Sequence, residues 1–251
     1  ALSIRDLTCT FGGLKAVNNL HLEVHDGTIT AIIGPNGAGK TTLFNAISGL
    51  LEPADGGIWF QGVLMTGKRP HEVAQRGIGR TFQNVEIFDN MTILDNVMVG
   101  RFSRTRAGFL SSVFCLPWSV KEERASRNDA MEMLRFVGLG DEASRPAGSL
   151  PFGKKRLVEL ARALAMEPQL LLLDEPASGL NSREMSELGE LIQKICSEGI
   201  TVFLVEHAME LVMDISDKVA VLESGVKISE GSPSDVQNDP RVITAYLGEE
   251  G

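Results

Sequence analysis

Hydrophobic and polar residues alternate through the first part of the chain. The alternation covers Ser3 to Thr10 and Leu20 to Val24, and it predicts strands with one buried face. A turn pair, Asp26-Gly27, precedes an apolar run from Thr28 to Ile33, which predicts a short, fully buried strand. The N-terminal part is therefore expected to form a β lobe that leads into a central sheet.

The middle of the chain has a helical pattern instead. From about Asp89 to Ala163 the strand pattern disappears, and helices are predicted over Met91–Val99 and Lys121–Val137. The segment Arg101–Pro117 between them is rich in Arg, Ser, Gly and Phe and is predicted to be a loop or short irregular helix. These features predict a helical lobe inserted into the main fold.

From Gln169 onward, strands and helices alternate. Strands are predicted over Leu170–Leu173 and Ile200–Val205, helices over Ser182–Cys196 and Ala208–Asp214, a hairpin from Val219–Leu222 to Val226–Ile228 across Gly225, and a short amphipathic piece over Val242–Leu247. Such alternation is typical of a mostly parallel α/β sheet.

Composition excludes several classes of protein. The chain has 251 residues, of which 43% are hydrophobic and 23% charged, and its formal net charge is −9. A negative total argues against a non-specific nucleic-acid binder, which needs a broad basic surface. Its apolar runs are far shorter than the ~20 residues of a membrane helix. We expect no secretory signal, and three scattered cysteines indicate a reducing cytoplasm.

A glycine-rich segment directly follows the predicted strand that ends at Ile33. Residues Gly34 to Thr41 fit the pattern G-x-x-x-x-G-K-[ST], and a helix is predicted from Lys40 to Gly49. Glycines let backbone N–H groups surround phosphate oxygens, and a helix N-terminus adds positive potential. In this pattern Lys40 reaches the β and γ phosphates, and the Thr41 hydroxyl binds Mg²⁺. A chance glycine-rich turn is the alternative, but it does not explain the order strand, loop, helix.

Two carboxylates end the predicted strand Leu170–Leu173. Asp174 would hold Mg²⁺ through water, and Glu175 would polarise the water that attacks the terminal phosphate. Alone, an Asp-Glu pair after a strand could equally be a helix N-cap with an acidic neighbour. The phosphate-binding loop earlier in the chain favours the catalytic interpretation.

With these two motifs the chain resembles the ATP-binding-cassette ATPases over nearly its whole length. Three further residues match the family in order: Phe11 in Thr10-Phe-Gly-Gly, Gln83 in Arg80-Thr-Phe-Gln, and His207 in Leu204-Val-Glu-His. The loop from Ser178 to Asn181 also matches, although the family usually ends it in Asp. The resemblance implies that Phe11 stacks on adenine, Gln83 stands at the entrance to the helical lobe, and His207 senses the γ-phosphate.

The resemblance implies an α/β fold: a P-loop NTPase (RecA-like) core with an N-terminal antiparallel β lobe and an inserted α-helical lobe. The core and β lobe are expected over 1–88 and 164–251, and the helical lobe over 89–163. The implied cofactors are ATP and Mg²⁺. Residues expected to bind ATP are Phe11, Val17, Gly34, Pro35, Asn36, Gly37, Ala38, Gly39, Lys40, Thr41, Thr42, Gly153 and Lys154; those expected to bind Mg²⁺ are Thr41, Gln83 and Asp174; those expected to act in catalysis are Lys40, Gln83, Glu175 and His207.

Finer features are similar to the ATPase subunits of branched-chain amino-acid importers. They are the segment Phe11-Gly-Gly-Leu-Lys-Ala-Val, the long insert around Arg101–Trp118, and the terminal Ala245-Tyr-Leu-Gly. Lipopolysaccharide-export ATPases share the tail and several motifs but usually lack so long an insert, and they are the alternative.

The family signature, usually Leu-Ser-Gly-Gly-Gln or Leu-Ser-Tyr-Gly-Gln, aligns with 150–154, where the chain reads Leu-Pro-Phe-Gly-Lys. In the family, the Ser hydroxyl and nearby backbone N–H groups bind the γ-phosphate of ATP held by the other subunit, and Pro151 has neither a hydroxyl nor an N–H. Losing a hydrogen bond to a charged group without compensation costs about 1.5–3 kcal/mol, which corresponds to roughly tenfold to a hundredfold in rate. Our hypothesis is that Lys154 compensates; the alternative is that Lys154-Lys155-Arg156 is a solvated basic face.

The resemblance also implies partners. Two such subunits, identical or related, would sandwich two ATP molecules head to tail at the cytoplasmic face of the inner (plasma) membrane. Membrane permeases, with a substrate-binding protein acting through the complex, would dock near Gln83 and an apolar edge over Val85–Phe88. Two other functions stay open. One is that of a cassette ATPase in a soluble process such as DNA repair or translation, and the other is that of a nucleotide-dependent binding module with weak hydrolysis. A P-loop GTPase is disfavoured because no Asn-Lys-x-Asp guanine specifier occurs.

Overall fold

The computed structural model describes residues 1–101 and 117–247. They divide into two compact units, one formed by Ala1–Arg80 with Gln169–Gly251 and the other by Thr81–Pro168. Most of the predicted loop Arg101–Pro117 and the last residue of the tail motif, Gly248, lie outside the described residues.

Ten strands form two sheets in the first unit. An antiparallel sheet has the order β2-β1-β4-β5, and a six-stranded sheet has the order β10-β9-β3-β8-β7-β6, in which only β10 is antiparallel to its neighbour. The strands are β1 Leu2–Phe11, β2 Leu14–Val24, β3 Ile29–Ile33, β4 Asp55–Phe60, β5 Val63–Leu64, β6 Ile78–Arg80, β7 Leu170–Asp174, β8 Thr201–Val205, β9 Lys218–Glu223 and β10 Val226–Gly231.

Nine helices accompany these strands in the described part of the chain. The first unit contains α1 Lys40–Ile47, α2 Pro70–Gln75, α6 Ser182–Ser197, α7 Met209–Ile215, α8 Pro233–Gln237 and α9 Pro240–Leu247; the second contains α3 Ile93–Arg101, α4 Pro117–Phe136 and α5 Phe152–Leu164. Two short 3₁₀ turns, Gly140–Glu142 and Ala147–Ser149, also lie in the second unit. The alternating α/β sheet and the helical middle segment confirm the predicted fold class.

One core joins both sheets of the first unit. The alternating apolar residues Leu20, Leu22 and Val24 are buried on the β2 face, and they share a cluster with Phe44 of α1 and Phe203 of β8. The rings of Phe44 and Phe203 lie 5.1 Å apart in a tilted arrangement. The core therefore fixes α1, the helix that follows the glycine-rich loop, against the sheet.

The second unit has its own apolar stripe. Ala130, Leu134 and Val137 are buried along α4, as the helical pattern predicts, while Met133 is only half-buried. Across both units, none of the helices within the described ranges combines the length and the hydropathy of a membrane span.

Candidate active site

Three of the candidate segments leave neighbouring parallel strands at the same edge of the six-stranded sheet. The glycine-rich loop follows β3, Glu206-His207 follows β8, and Glu175 follows β7. The register places Val205 of β8 beside Ile32 on one side and Asp174 on the other. In open α/β sheets, ligands bind outside the carboxyl ends of the strands. The fold thus brings these segments together across about 170 residues of sequence.

The glycine-rich loop passes so close to its neighbours that side chains are excluded at two positions. A Cβ on Gly34 (φ 148°) would lie 2.0 Å from the carbonyl oxygen of Leu222, and one on Gly39 (φ 102°) would lie 2.2 Å from that of Ala16. Both φ values lie in the region that favours glycine. Val17, predicted to bind ATP, is fully buried, and its side chain lies beneath Gly39.

Lys40 begins α1, and its ammonium lies over the loop. Nζ donates hydrogen bonds to the carbonyl oxygens of Gly34 (2.6 Å) and Pro35 (2.9 Å), and the residue is only 6% exposed. The remaining loop residues are exposed at Asn36, Gly37 and Thr41, half-buried at Thr42 and buried at Ala38. The positive charge is therefore held at the loop that the sequence predicts to cradle phosphates.

A buried arginine orients Asp174. Arg80 Nη2 donates to Asp174 Oδ2 at 2.8 Å, and its Nη1 donates to Asn45 Oδ1 and Ser48 Oγ of α1. The two charged side chains are 7% and 2% exposed. Sequence reasoning used Arg80 only as part of a motif, because its partner lies 94 residues away. The signal that could have found it is a charged residue at the end of a short buried strand.

Glu175 and His207 face each other across neighbouring strand ends. Glu175 Oε1 lies 3.3 Å from His207 Nε2, and the two side chains are 17% and 41% exposed. The backbone N–H of Glu175 donates to Val205 O at 2.9 Å, and its φ of 48° is left-handed, which is unusual for a residue with a Cβ. The predicted base and the predicted phosphate sensor therefore form one pair.

Gln83 lies in the second unit, in an exposed segment before α3. The start of α5 holds its backbone: Arg156 donates to the carbonyl oxygens of Phe82 (3.0 Å) and Gln83 (2.7 Å), and Glu159 accepts from Phe82 N at 3.0 Å. Burial raises the pKa of the Glu159 carboxyl, against the opposing effect of the Phe82 N–H. Two buried ionisable residues thus anchor the Gln83 backbone to the signature helix.

The aberrant signature forms the start of α5. Pro151 is the N-cap, with φ −57° and ψ 156°, and its carbonyl accepts a hydrogen bond from Lys155 N. Gly153 is half-buried. Lys154 Nζ pairs with Glu142, and this contact lowers the pKa of the Glu142 carboxyl. The ammonium expected to approach a phosphate is therefore paired within its own unit.

Phe11 ends β1 and is 50% exposed, opposite Leu14 across the hairpin. A half-exposed ring beside the glycine turn can stack on a flat base.

The sequence is similar to known transport proteins. The family described as ABC transporter matches residues 17–178, and the family described as branched-chain amino acid ATP-binding cassette transporter matches residues 226–251. The high-affinity branched-chain amino acid transport ATP-binding protein BraF of Pseudomonas aeruginosa is 42% identical over 249 residues, which cover 99% of this chain and 98% of that protein.

Solved cassettes have the same fold. A crystal structure of an ATP-binding cassette of an ABC transporter in its ADP conformation has a TM-score of 0.86 and 33% identity, covering 98% of each chain. A dimeric structure of another ABC transporter cassette has a TM-score of 0.79 and 25% identity, covering 93% of this chain and 99% of that one.

Proposed function

Because this chain belongs to the ABC transporter family as an ATP-binding cassette ATPase, we propose that it powers an importer of branched-chain amino acids or similar solutes. The observation that carries the proposal is the meeting of the Lys40 loop, Asp174-Glu175 and His207 at one sheet edge. The name of BraF and the match over 226–251 support the cargo class. Both favour the importer over the lipopolysaccharide-export alternative.

In the proposed reaction, the terminal phosphoryl group of ATP passes to water. Backbone N–H groups of the loop from Gly34 to Thr42 hold the phosphates, and Lys40 exchanges the carbonyls of Gly34 and Pro35 for phosphate oxygens. Glu175 polarises the attacking water, and His207, 3.3 Å from Glu175, keeps that carboxylate oriented. Phe11 stacks on the base.

The residues at the sheet edge fit a magnesium ion. Asp174 Oδ2 is occupied by Arg80, while the buried Oδ1 has no hydrogen-bond partner among the described residues, and Thr41 is an exposed residue of the phosphate-binding loop. Mg²⁺ prefers one or two protein oxygens together with substrate phosphates and water. Asp174 and Thr41 would hold it, and when bound it would neutralise the charge on the phosphates.

We propose that two cassettes act together. The partner's nucleotide would meet the start of α5, where Gly153 and the uncapped backbone N–H groups lie. The dimeric structure of a related cassette supports this arrangement. In this arrangement Lys154 would exchange its contact with Glu142 for one with a phosphate oxygen. An identical subunit and a related ATPase would both serve as the partner, because either would present the same signature segment.

Membrane permeases are the proposed docking partners at the cytoplasmic face of the membrane. A substrate-binding protein would act through the same complex. Phe88 is 51% exposed, yet the fully buried Asn96 binds its backbone at both N and O. An exposed aromatic ring on a fixed backbone suits a docking partner better than a mobile one. Val85 and Ile87 beside it are half-buried.

The test is ATP hydrolysis by purified Lys40→Ala and Glu175→Gln variants. Both should lose activity by about 100-fold or more, since a positioned general base alone contributes at least that much. Glu175→Gln should retain ATP binding. Asp235→Asn, which alters only the cap of α8, is the control and should keep hydrolysing. Parental rates in the first two variants would refute the proposal, and leucine uptake by the complete transporter tests the cargo.

A further inference from the structure

Glu206 is a buried acidic residue between the end of the sheet and His207. It directly follows β8 and precedes His207, and it is 3% exposed. The proposed reaction gives it no role. A carboxylate withdrawn from water is costly unless donors surround it, so its contacts reveal what it does.

Three backbone N–H groups from two different loops donate to this one carboxylate. Oε1 accepts from Ala177 N at 2.6 Å, and Oε2 accepts from His207 N at 2.8 Å and Ala208 N at 3.1 Å. Hydrogen bonds to an ionised acceptor are shorter and stronger than those between neutral groups. Glu206 therefore fixes the backbone of both loops at once.

The two loops carry the proposed catalytic pair. Ala177 lies two residues after Glu175, and the other loop contains His207 itself. Strands β7 and β8 align Asp174 with Val205, but the chain beyond each strand needs its own restraint. Glu206 supplies that restraint through backbone N–H groups, in addition to the 3.3 Å side-chain contact between Glu175 and His207.

We propose that Glu206 is a positioning residue, which holds the loop after Glu175 and the His207 loop in one register so that the two side chains stay paired. This inference rests on the proposed function of Glu175 and His207. A merely structural acid would lower stability without a specific effect on the chemical step. The experiment must therefore separate kcat from KM and from folding.

The test is Glu206→Gln in the purified protein. Its amide has a single acceptor oxygen, so it cannot satisfy donors on both sides as the carboxylate does. We expect kcat for ATP hydrolysis to fall on the order of 10- to 100-fold, because misplacement by about 1 Å can cost that much, while KM for ATP changes less than about threefold. In a His207→Ala background, the same change should add less than about a twofold loss.

Asp217→Asn is the matched control. Asp217 also accepts a backbone N–H, that of Ile29 at 2.8 Å, but it does so at the opposite edge of the sheet. This variant should lose stability without losing kcat. If Glu206→Gln does not fold, Glu206→Asp, which keeps the charge and shortens the side chain, is measured instead and should fold with a lowered kcat.

Two outcomes overturn the inference: a folded Glu206 variant with parental kcat, or losses that multiply fully with His207→Ala. Failure of the proposed function has a different signature, since Glu175→Gln would then hydrolyse ATP at the parental rate. A reduced Glu206 variant beside an active Asp217→Asn supports the positioning role.

Discussion

Helices α1 and α6 begin at the same edge of the same sheet, but their first turns are built in opposite ways. Asn181 caps α6 by accepting from Glu184 N at 3.0 Å, and the Glu184 carboxylate accepts from Asn181 N in return. The N-cap of α1 is Gly39, in the left-handed region and with no side chain to offer. A capped helix satisfies its own first N–H groups, whereas an uncapped one leaves them for a ligand.

The start of α5 follows the α1 pattern although it lies in the other unit. Its N-cap, Pro151, makes no side-chain hydrogen bond to the helix. Both helix starts proposed to bind phosphate thus lack a capping side chain at the N-cap, one for this chain's nucleotide and one for the partner's, and α7, with Ala208 as its N-cap, lacks one too. A side-chain cap, as at Asn181, therefore argues against a ligand at a helix start, and the following variants alter α1 with its loop, α5 or α6.

The largest effect is expected from Gly39→Ala. The added Cβ would collide with Ala16 O at 2.2 Å in a backbone conformation that already disfavours alanine, so strain of about 1–3 kcal/mol must be relieved by moving the loop. We expect ATP hydrolysis to fall by about 100-fold and the melting temperature to drop.

Gly37→Ala is the companion to that variant. Gly37 has a similar left-handed φ of 80°, but a Cβ there meets no atom within 4 Å in the described structure. Its loss of melting temperature should be clearly smaller. Equal losses in calorimetry would show that backbone conformation, and not the contact with Ala16, restricts residue 39.

Pro151→Ser should make α5 resemble the usual family signature. In the absence of nucleotide, the serine hydroxyl can cap α5. When the two cassettes close on ATP, it can donate a hydrogen bond to a phosphate, and that hydrogen bond is worth about 1.5–3 kcal/mol. We expect about tenfold faster ATP turnover at low ATP concentration. Turnover equal to or below that of the parent would show that the proline costs nothing, and Phe152→Tyr in the same signature serves as the comparison variant.

Asn181→Ala tests the capped helix start, that of α6. Loss of the α6 cap should cost about 1 kcal/mol of unfolding free energy, seen as a lower urea midpoint with an unchanged slope. Ser182→Ala, at the next position, lacks this cap contact and should cost less. An unshifted midpoint for Asn181→Ala would mean that tertiary packing alone fixes this helix start.

The smallest effect is expected from Lys154→Gln on acid stability. Because Lys154 lowers the pKa of Glu142, the pair stabilises the fold above the ordinary glutamate pKa, and this contribution is lost as the pH falls through the lowered pKa. Without Lys154 the Glu142 pKa should rise, and acid unfolding followed by circular dichroism should begin at slightly higher pH. In a Glu142→Gln background the substitution should no longer shift that onset.

Elements with a clear apolar pattern were predictable from the sequence, including short buried strands such as β3 and β8, and elements without such a pattern were not. The pattern found β1, the Leu20–Val24 part of β2, β7 and α6 to within a few residues, since each presents a regular apolar face. It missed β4, whose Asp-Gly-Gly start reads as a turn, and β6, which has only three residues. It also began α4 four residues late, because Pro117 to Val120 carry no charged face.

The candidate site was likewise predictable only in part from the sequence. Lys40, Glu175 and His207 belong to local motifs and could be predicted, and their roles remain proposals. The sequence could not show that Arg80 meets Asp174 or that Glu206 meets Ala177, since these contacts join residues 94 and 29 positions apart. Only the strand order brings such partners together.

The left-handed backbone at Glu175 has a consequence for how stable this protein can become. A residue with a Cβ gives up about 1–2 kcal/mol in that conformation, and glycine would recover part of it, since glycine also gains entropy in the unfolded chain. Yet glycine has no carboxylate to act on water. A Glu175→Gly variant should therefore unfold at a higher temperature than the parent while losing ATP hydrolysis, so that the conformation at this position trades stability for the carboxylate.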